Sequence, residues 1–206
     1  MSYDPATKIQ ELSAFGEFGG VNPSITDSST YTFLKSETMK ELFESEIEGC
    51  FLYSRHWNPS NKYLSDAISA LENSEASQIT SSGISAIACA ILQICEQGDQ
   101  IVSSRTIYGG TYALFKNVLP KFGISVKFVD ILDLSAVNEN ITSQTKMVYC
   151  ESISNPLLDV SDLPELSKIT KKHAIKLVVD NTFSPMAITP INHGADIVIH
   201  SLTKFI

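Results

Sequence analysis

The sequence predicts an α/β chain on a mainly parallel sheet with helices on both faces. Two observations carry this. Short apolar, β-branched runs alternate along the chain with segments of helical spacing. The clearest of those runs, Val178-Val179 and Ile197-Val198-Ile199, end abruptly in polar residues, Asp180 and His200-Ser201. Such alternation is what successive strand–helix–strand units produce, because a helical crossover brings each strand back parallel to the last.

The elements follow in order. Residues 1–60 lack regular periodicity and are punctuated by Gly16, Gly19, Gly20 and Pro23. They are expected to lie as an arm on another surface, such as a neighbouring subunit, with a short helix over 33–47. Leu64, Ala67, Ile68 and Leu71 recur at helical spacing, so 61–71 is a helix that opens the large domain, 61–206. A short strand is expected over 76–79. A long helix follows from Ile84 to Gln97 and is stopped by Gly98-Asp99. Strands are expected at 100–103, 126–129, 147–150, 176–179 and 196–199. Helices are expected at 110–119, 136–140 and 163–173, the last with Pro164 in its first turn. No internal repeat or low-complexity tract interrupts this order.

Composition narrows the function classes. The chain has 206 residues, of which 43% are hydrophobic, so a sizeable core can form. The net charge is −8 with no basic cluster, which argues against nucleic acid and anionic membranes as partners. No apolar run reaches the ~18 residues of a membrane span. Residues 1–20 lack the charged start and apolar core of a signal peptide. Cys50, Cys89, Cys95 and Cys150 form no CxxC pair and show no metal-ligand spacing with histidines. Free thiols in a reducing cytoplasm are expected.

Chemistry-bearing residues gather at predicted strand ends and helix starts. Lys204 follows a strand beside Ser201 and Thr203. Ligands of open α/β sheets sit outside the carboxyl ends of the strands, and a lysine there, next to hydroxyls able to hold a phosphate, suits Schiff-base chemistry. Taken alone, these residues suit an ordinary surface lysine at a strand end better. Ser81-Ser82-Gly83-Ile84 opens a helix whose first N–H groups have no internal partner, a natural anion site, or simply a serine-capped helix. Asp180 at a strand end either pairs with a protonated ring nitrogen or caps the next turn. Tyr108, followed by Gly109-Gly110, either stacks on a flat ring or packs into the core. Asn155-Pro156, after Glu151, either offers an amide to a ligand or forms a turn. His173 and His193 read as surface residues, and nothing fixes a role for His200. No GxGxxG occurs, which leaves a dinucleotide site little support, and no GxxxxGK[ST], which removes a P-loop.

Six stretches, in order, resemble one family: YSRHWNPS (53–60), SSGISAI (81–87), YGGTY (108–112), ESISNP (151–156), VVDNTF (178–183) and HSLTKFI (200–206). The chain is similar to the pyridoxal 5'-phosphate (PLP) enzymes of cysteine and methionine metabolism. These include cystathionine γ-synthase, cystathionine lyases, methionine γ-lyase and O-acetylhomoserine sulfhydrylase. The resemblance implies the fold-type-I PLP transferase fold and a set of roles. Lys204 would bind the cofactor covalently and later act as general base. Asp180 would pair with the ring nitrogen, and Tyr108 would stack on the ring and take part in proton transfer. Gly83 and Ile84 amides with Ser201 and Thr203 hydroxyls would hold the phosphate, and Asn155 would touch the ring oxygen. Tyr53 and Arg55 would reach the phosphate of a neighbouring subunit, giving a homodimer or homotetramer.

Two departures from the family pattern stand out. Gly110 occupies a position where methionine γ-lyases usually carry cysteine, a form closer to cystathionine γ-lyases and sulfhydrylases. Family members also continue past the lysine into a C-terminal domain whose arginine grips the substrate carboxylate. The expectation is therefore an N-terminal portion truncated after the lysine. The expected activity of the complete enzyme is elimination or replacement at the γ-carbon of sulfur amino acids or O-activated homoserine. An aminotransferase-type PLP enzyme and an inactive fragment are the alternatives.

Overall fold

The computed structural model describes residues 3–12, 16–44, 47 and 49–206. The chain divides into two compact units, 1–79 and 80–206.

In the first unit, α1 (Pro5–Gln10), α2 (Ser36–Glu44) and α3 (Pro59–Glu72) are joined by long irregular stretches. The helix expected over 33–47 is confined to α2, and residues 45, 46 and 48 lie outside the described ones. α3 starts where the sequence provides both signals. Asn58 caps it by accepting the Asn61 N–H at 2.8 Å, and Pro59 stands in its first turn. It ends at Asn73, whose φ of 55° is the left-handed conformation that closes a helix. α3 packs on α1, and both lie in the unit that ends at Ile79.

The strand expected over 76–79 does not form. A strand needs a neighbour for its backbone groups, and no strand pairs with this segment among the described residues. Side chains of α3 stand in instead. Ser65 Oγ donates to the Ser77 carbonyl at 2.5 Å, and Ser69 Oγ and Ser77 Oγ lie 2.9 Å apart.

The second unit is a five-stranded, wholly parallel sheet in the order β2-β1-β3-β4-β5. The strands are β1 (Gln100–Ser104), β2 (Ser125–Val129), β3 (Thr145–Glu151), β4 (Lys176–Asp180) and β5 (Ile197–Ile199). Side-chain alternation splits the core in two. Ile101, Met147, Tyr149, Val178 and Ile199 face α4 (Gly83–Ile94) and Phe115. Val102, Val148, Cys150, Leu177 and Val179 face Val137 of α6 (Leu134–Glu139) and Leu163 and Leu166 of α7 (Leu163–Lys172). Helices thus cover both faces, as the sequence predicted.

The helix expected over 110–119 changes character along its length. α5 (Gly109–Ala113) passes into a π-turn (Leu114–Val118) and a 3₁₀ turn (Leu119–Phe122) holding Pro120. Proline cannot donate to the preceding turn, which ends regular α-geometry here. Phe115, fully buried, meets the Tyr149 ring edge-on at 5.0 Å, and this contact anchors the segment to β3.

Candidate active site

Strand register builds the site. β3, β4 and β5 end level, with Glu151 paired to Asp180 and Asp180 to Ile199. The loops beyond these ends, the turn after β1 and the start of α4 enclose a cavity of about 360 Å³. Its lining includes Gly83, Ile84, Tyr108, Asn155, Asp180, Ser201, Thr203 and Lys204, eight of the ten expected site residues. The strand order reverses between β1 and β3, the usual place for a ligand in an open α/β sheet.

One end of the cavity is suited to an anion. Ser82 caps α4 by accepting the Ser85 N–H at 3.1 Å. The amides of Gly83 and Ile84 are then the first in the helix and have no partner within it. Ser201 closes against them. A β-carbon on Gly83 would lie 2.8 Å from Ser201 Cβ, so only glycine permits this approach. Ser201 is itself held, because its N–H donates to Thr182 Oγ1 at 2.8 Å. Ser201 Oγ lies 3.2 Å from Thr203 Oγ1, which accepts a hydrogen bond from Lys204 Nζ at 2.9 Å. The serine cap expected of α4 forms, and it leaves these two amides beside the cavity.

The other end is acidic and buried. Asp180 accepts from Tyr149 Oη at 3.3 Å and from the Thr182 N–H at 2.9 Å. Tyr149 is fully buried, and burial first, then Asp180 and Glu151, hold its phenol far above its ordinary pKa. It therefore stays a donor to Asp180. Below Asp180, Asn181 Oδ1 accepts from Ser152 Oγ at 2.7 Å and from Ser184 Oγ at 3.0 Å, fixing the turn after β4. Glu151 accepts the Tyr108 N–H at 2.6 Å and the Asn155 N–H at 3.1 Å. Burial pushes its carboxyl up to about 7; the two N–H donors oppose that shift, and Asp180 reinforces it.

Tyr108 precedes α5 and is half exposed. Its ring lies over Gly110, where an added β-carbon would meet Tyr108 Cε1 at 2.5 Å. Tyr53 and Arg55 belong to the first unit. There the Arg55 guanidinium packs 5.0 Å from the Tyr53 ring centre, and an antiparallel bridge joins Tyr53 to Thr30. Sequence reasoning passed over Tyr149 and gave Glu151 no role. Tyr149 is hidden in an apolar strand, and only the period of two, which puts it on the face of Phe115, could have pointed inward.

The family model for Cys/Met metabolism PLP-dependent enzymes matches residues 7–206. The chain belongs to that family. It is 44% identical to a methionine γ-lyase of Arabidopsis thaliana over 98% of this chain and 47% of that protein. It is 39% identical to an O-acetyl-L-homoserine sulfhydrylase of Leptospira meyeri over 91% of this chain and 45% of that protein. Among solved structures, one from Campylobacter jejuni is assigned as an O-acetylhomoserine (thiol)-lyase and contains an N'-pyridoxyl-lysine-5'-monophosphate. It matches with a TM-score of 0.91 and 30% identity, over 99% of this chain and 50% of that one. A cystathionine γ-lyase from Lactobacillus plantarum matches with a TM-score of 0.84 and 32% identity, over 97% and 50% of the two chains. The chain spans about half the length of the curated relatives it matches.

The cavity fits PLP on its own chemistry. PLP presents an aldehyde, a ring nitrogen and a phosphate. The lining offers an amine in Lys204, a buried carboxylate in Asp180, and amides and hydroxyls at the Gly83–Ser201 cradle.

Proposed function

We propose that this chain serves PLP-dependent trans-sulfuration, by elimination or replacement at the γ-carbon of a sulfur amino acid or O-activated homoserine. The observation that carries the proposal is the convergence of Lys204, Asp180, Tyr108 and the start of α4 on one cavity. When bound, PLP supplies an electron-accepting ring that stabilises a carbanion beside the substrate amine.

The chain's residues do the rest. Lys204 Nζ would hold the cofactor and would serve as the base for the α-proton. Asp180, held by Tyr149 and Thr182, keeps a proton on the ring nitrogen by charge. Tyr108, which lines the cavity, would stack on the ring and take part in proton transfer. The amides of Gly83 and Ile84 with the Ser201 and Thr203 hydroxyls bind the phosphate, and Asn155 binds the ring oxygen. Tyr53 and Arg55 serve the phosphate of a neighbouring subunit, with residues 1–60 as the arm, in a cytoplasmic homodimer or homotetramer. The four cysteines are free, as a reducing compartment would keep them.

The substrate is a small amino acid. The Gly110 position favours cystathionine γ-lyase- or sulfhydrylase-type chemistry over a dedicated methionine γ-lyase. Lys204→Ala tests the proposal. The wild-type chain mixed with PLP gains a visible absorbance band that the variant lacks, and turnover of cystathionine, O-acetylhomoserine or methionine falls by about a thousandfold. A variant that keeps both band and turnover overturns it.

A further inference from the structure

Glu151 ends β3, is only 6% exposed, and has no part in the chemistry above. Its two oxygens are divided between two loops. Oε1 accepts the backbone N–H of Tyr108, which follows β1, and Oε2 accepts that of Asn155, which follows β3. Both loops line the cavity. The Asn155 loop is also closed on itself, because the Ser154 N–H donates to the Asp159 carbonyl at 2.9 Å and the Leu158 N–H to the Ser154 carbonyl at 2.9 Å. It is therefore a small closed unit, and the Glu151 carboxylate links it to the Tyr108 backbone.

We infer that Glu151 is a positioning residue. Its carboxylate clamps the Tyr108 and Asn155 loops to each other and so sets the spacing of the two side chains that face the cofactor. What those side chains touch rests on the PLP proposal; the clamp itself rests only on the two hydrogen bonds.

The residue type matters chemically. An ionised carboxylate accepts at both oxygens, whereas a glutamine of the same length accepts at one end and donates at the other. Glutamine at 151 keeps one loop and releases the other. Protonation weakens the clamp in the same direction. The titratable groups around Glu151 are Asp180 on β4 and Tyr149 on its own face of β3, with Cys150 next to it on the opposite face, and Tyr108 and Lys204 line the same cavity. Asp180 and burial favour the protonated form, and the two amides favour the ionised one. The clamp therefore tightens as Glu151 ionises and loosens as it takes up a proton.

The test follows the Tyr108 and Asn155 amides by ¹H–¹⁵N NMR of this chain without cofactor, from about pH 5 to about pH 9. Both amide protons are expected to shift with one common midpoint in the wild type. In Glu151→Gln the shared titration is expected to disappear, and PLP affinity to fall about tenfold, the worth of one charge-assisted hydrogen bond. Separate midpoints, or no shift in the wild type, overturn the clamp even if the variant does not fold. A wild type that titrates as expected but gains no visible band with PLP keeps the clamp and rejects the cofactor proposal.

Discussion

The two ends of the cavity are built on opposite principles. At the anion end, the groups are backbone amides and short hydroxyls near solvent, with Thr203 and Lys204 exposed. Their partners are few, and the one tight fit is the backbone of Gly83 against Ser201. At the acid end, Glu151, Asp180 and Tyr149 are buried, and each is tied to strand register or to a neighbour's N–H or O–H. The first end is cheap to build and gains its worth from a charged ligand. The second costs desolvation in the empty protein and holds its geometry in advance. Ligand affinity should therefore be concentrated at one end and reaction rate at the other.

Asp180→Asn attacks the acid end and should give the largest separation. The neutral amide keeps the shape and removes the charge. Turnover is expected to fall about a hundredfold while the visible band of bound PLP persists. Equal losses in cofactor affinity and turnover would erase the distinction between the ends.

The pH dependence of stability sharpens the comparison next. The Glu151 carboxyl stands at about 7 in the folded chain, against an ordinary value of 4.5. The folded state thus holds this proton more tightly than the unfolded one. Its contribution is complete below pH 4.5 and is lost as pH rises through 7. Denaturant titrations should show the wild type losing on the order of 3 kcal/mol across this window relative to Glu151→Gln. Parallel profiles would place the burial cost elsewhere.

The anion end is probed by Gly83→Val. A β-carbon there meets Ser201 Cβ at 2.8 Å, so α4 and the loop after β5 must part. A stability loss of about 1–2 kcal/mol is expected by thermal unfolding, with PLP affinity falling more than turnover at saturating cofactor.

The sequence predicted the parallel sheet, its five strands and the helices on both faces, because each strand and each crossover helix carries its own periodicity. Lys204, Asp180 and Tyr108 were legible as positions at strand ends and loop starts. Local pattern misled in two places. Residues 76–79 have strand composition but no neighbour, and pairing is a property of the whole sheet. Residues 110–119 have helical spacing, but Pro120 and the buried Phe115 impose a wider turn between them. The Glu151 clamp was invisible for a different reason. It bonds backbone groups, 43 residues back at Tyr108 and four ahead at Asn155, and backbone donors carry no side-chain signature.

The level ends of β3, β4 and β5 have a consequence for how the gene can change. Adjacent strand residues face opposite sides of the sheet. Deleting one codon within β4 would turn Asp180 toward α7 and bring Val179 to the face of Tyr149, with every other residue conserved. Substitutions can tune this cavity one group at a time, but length changes can accumulate only in the loops between the strands, where no alternation has to be kept.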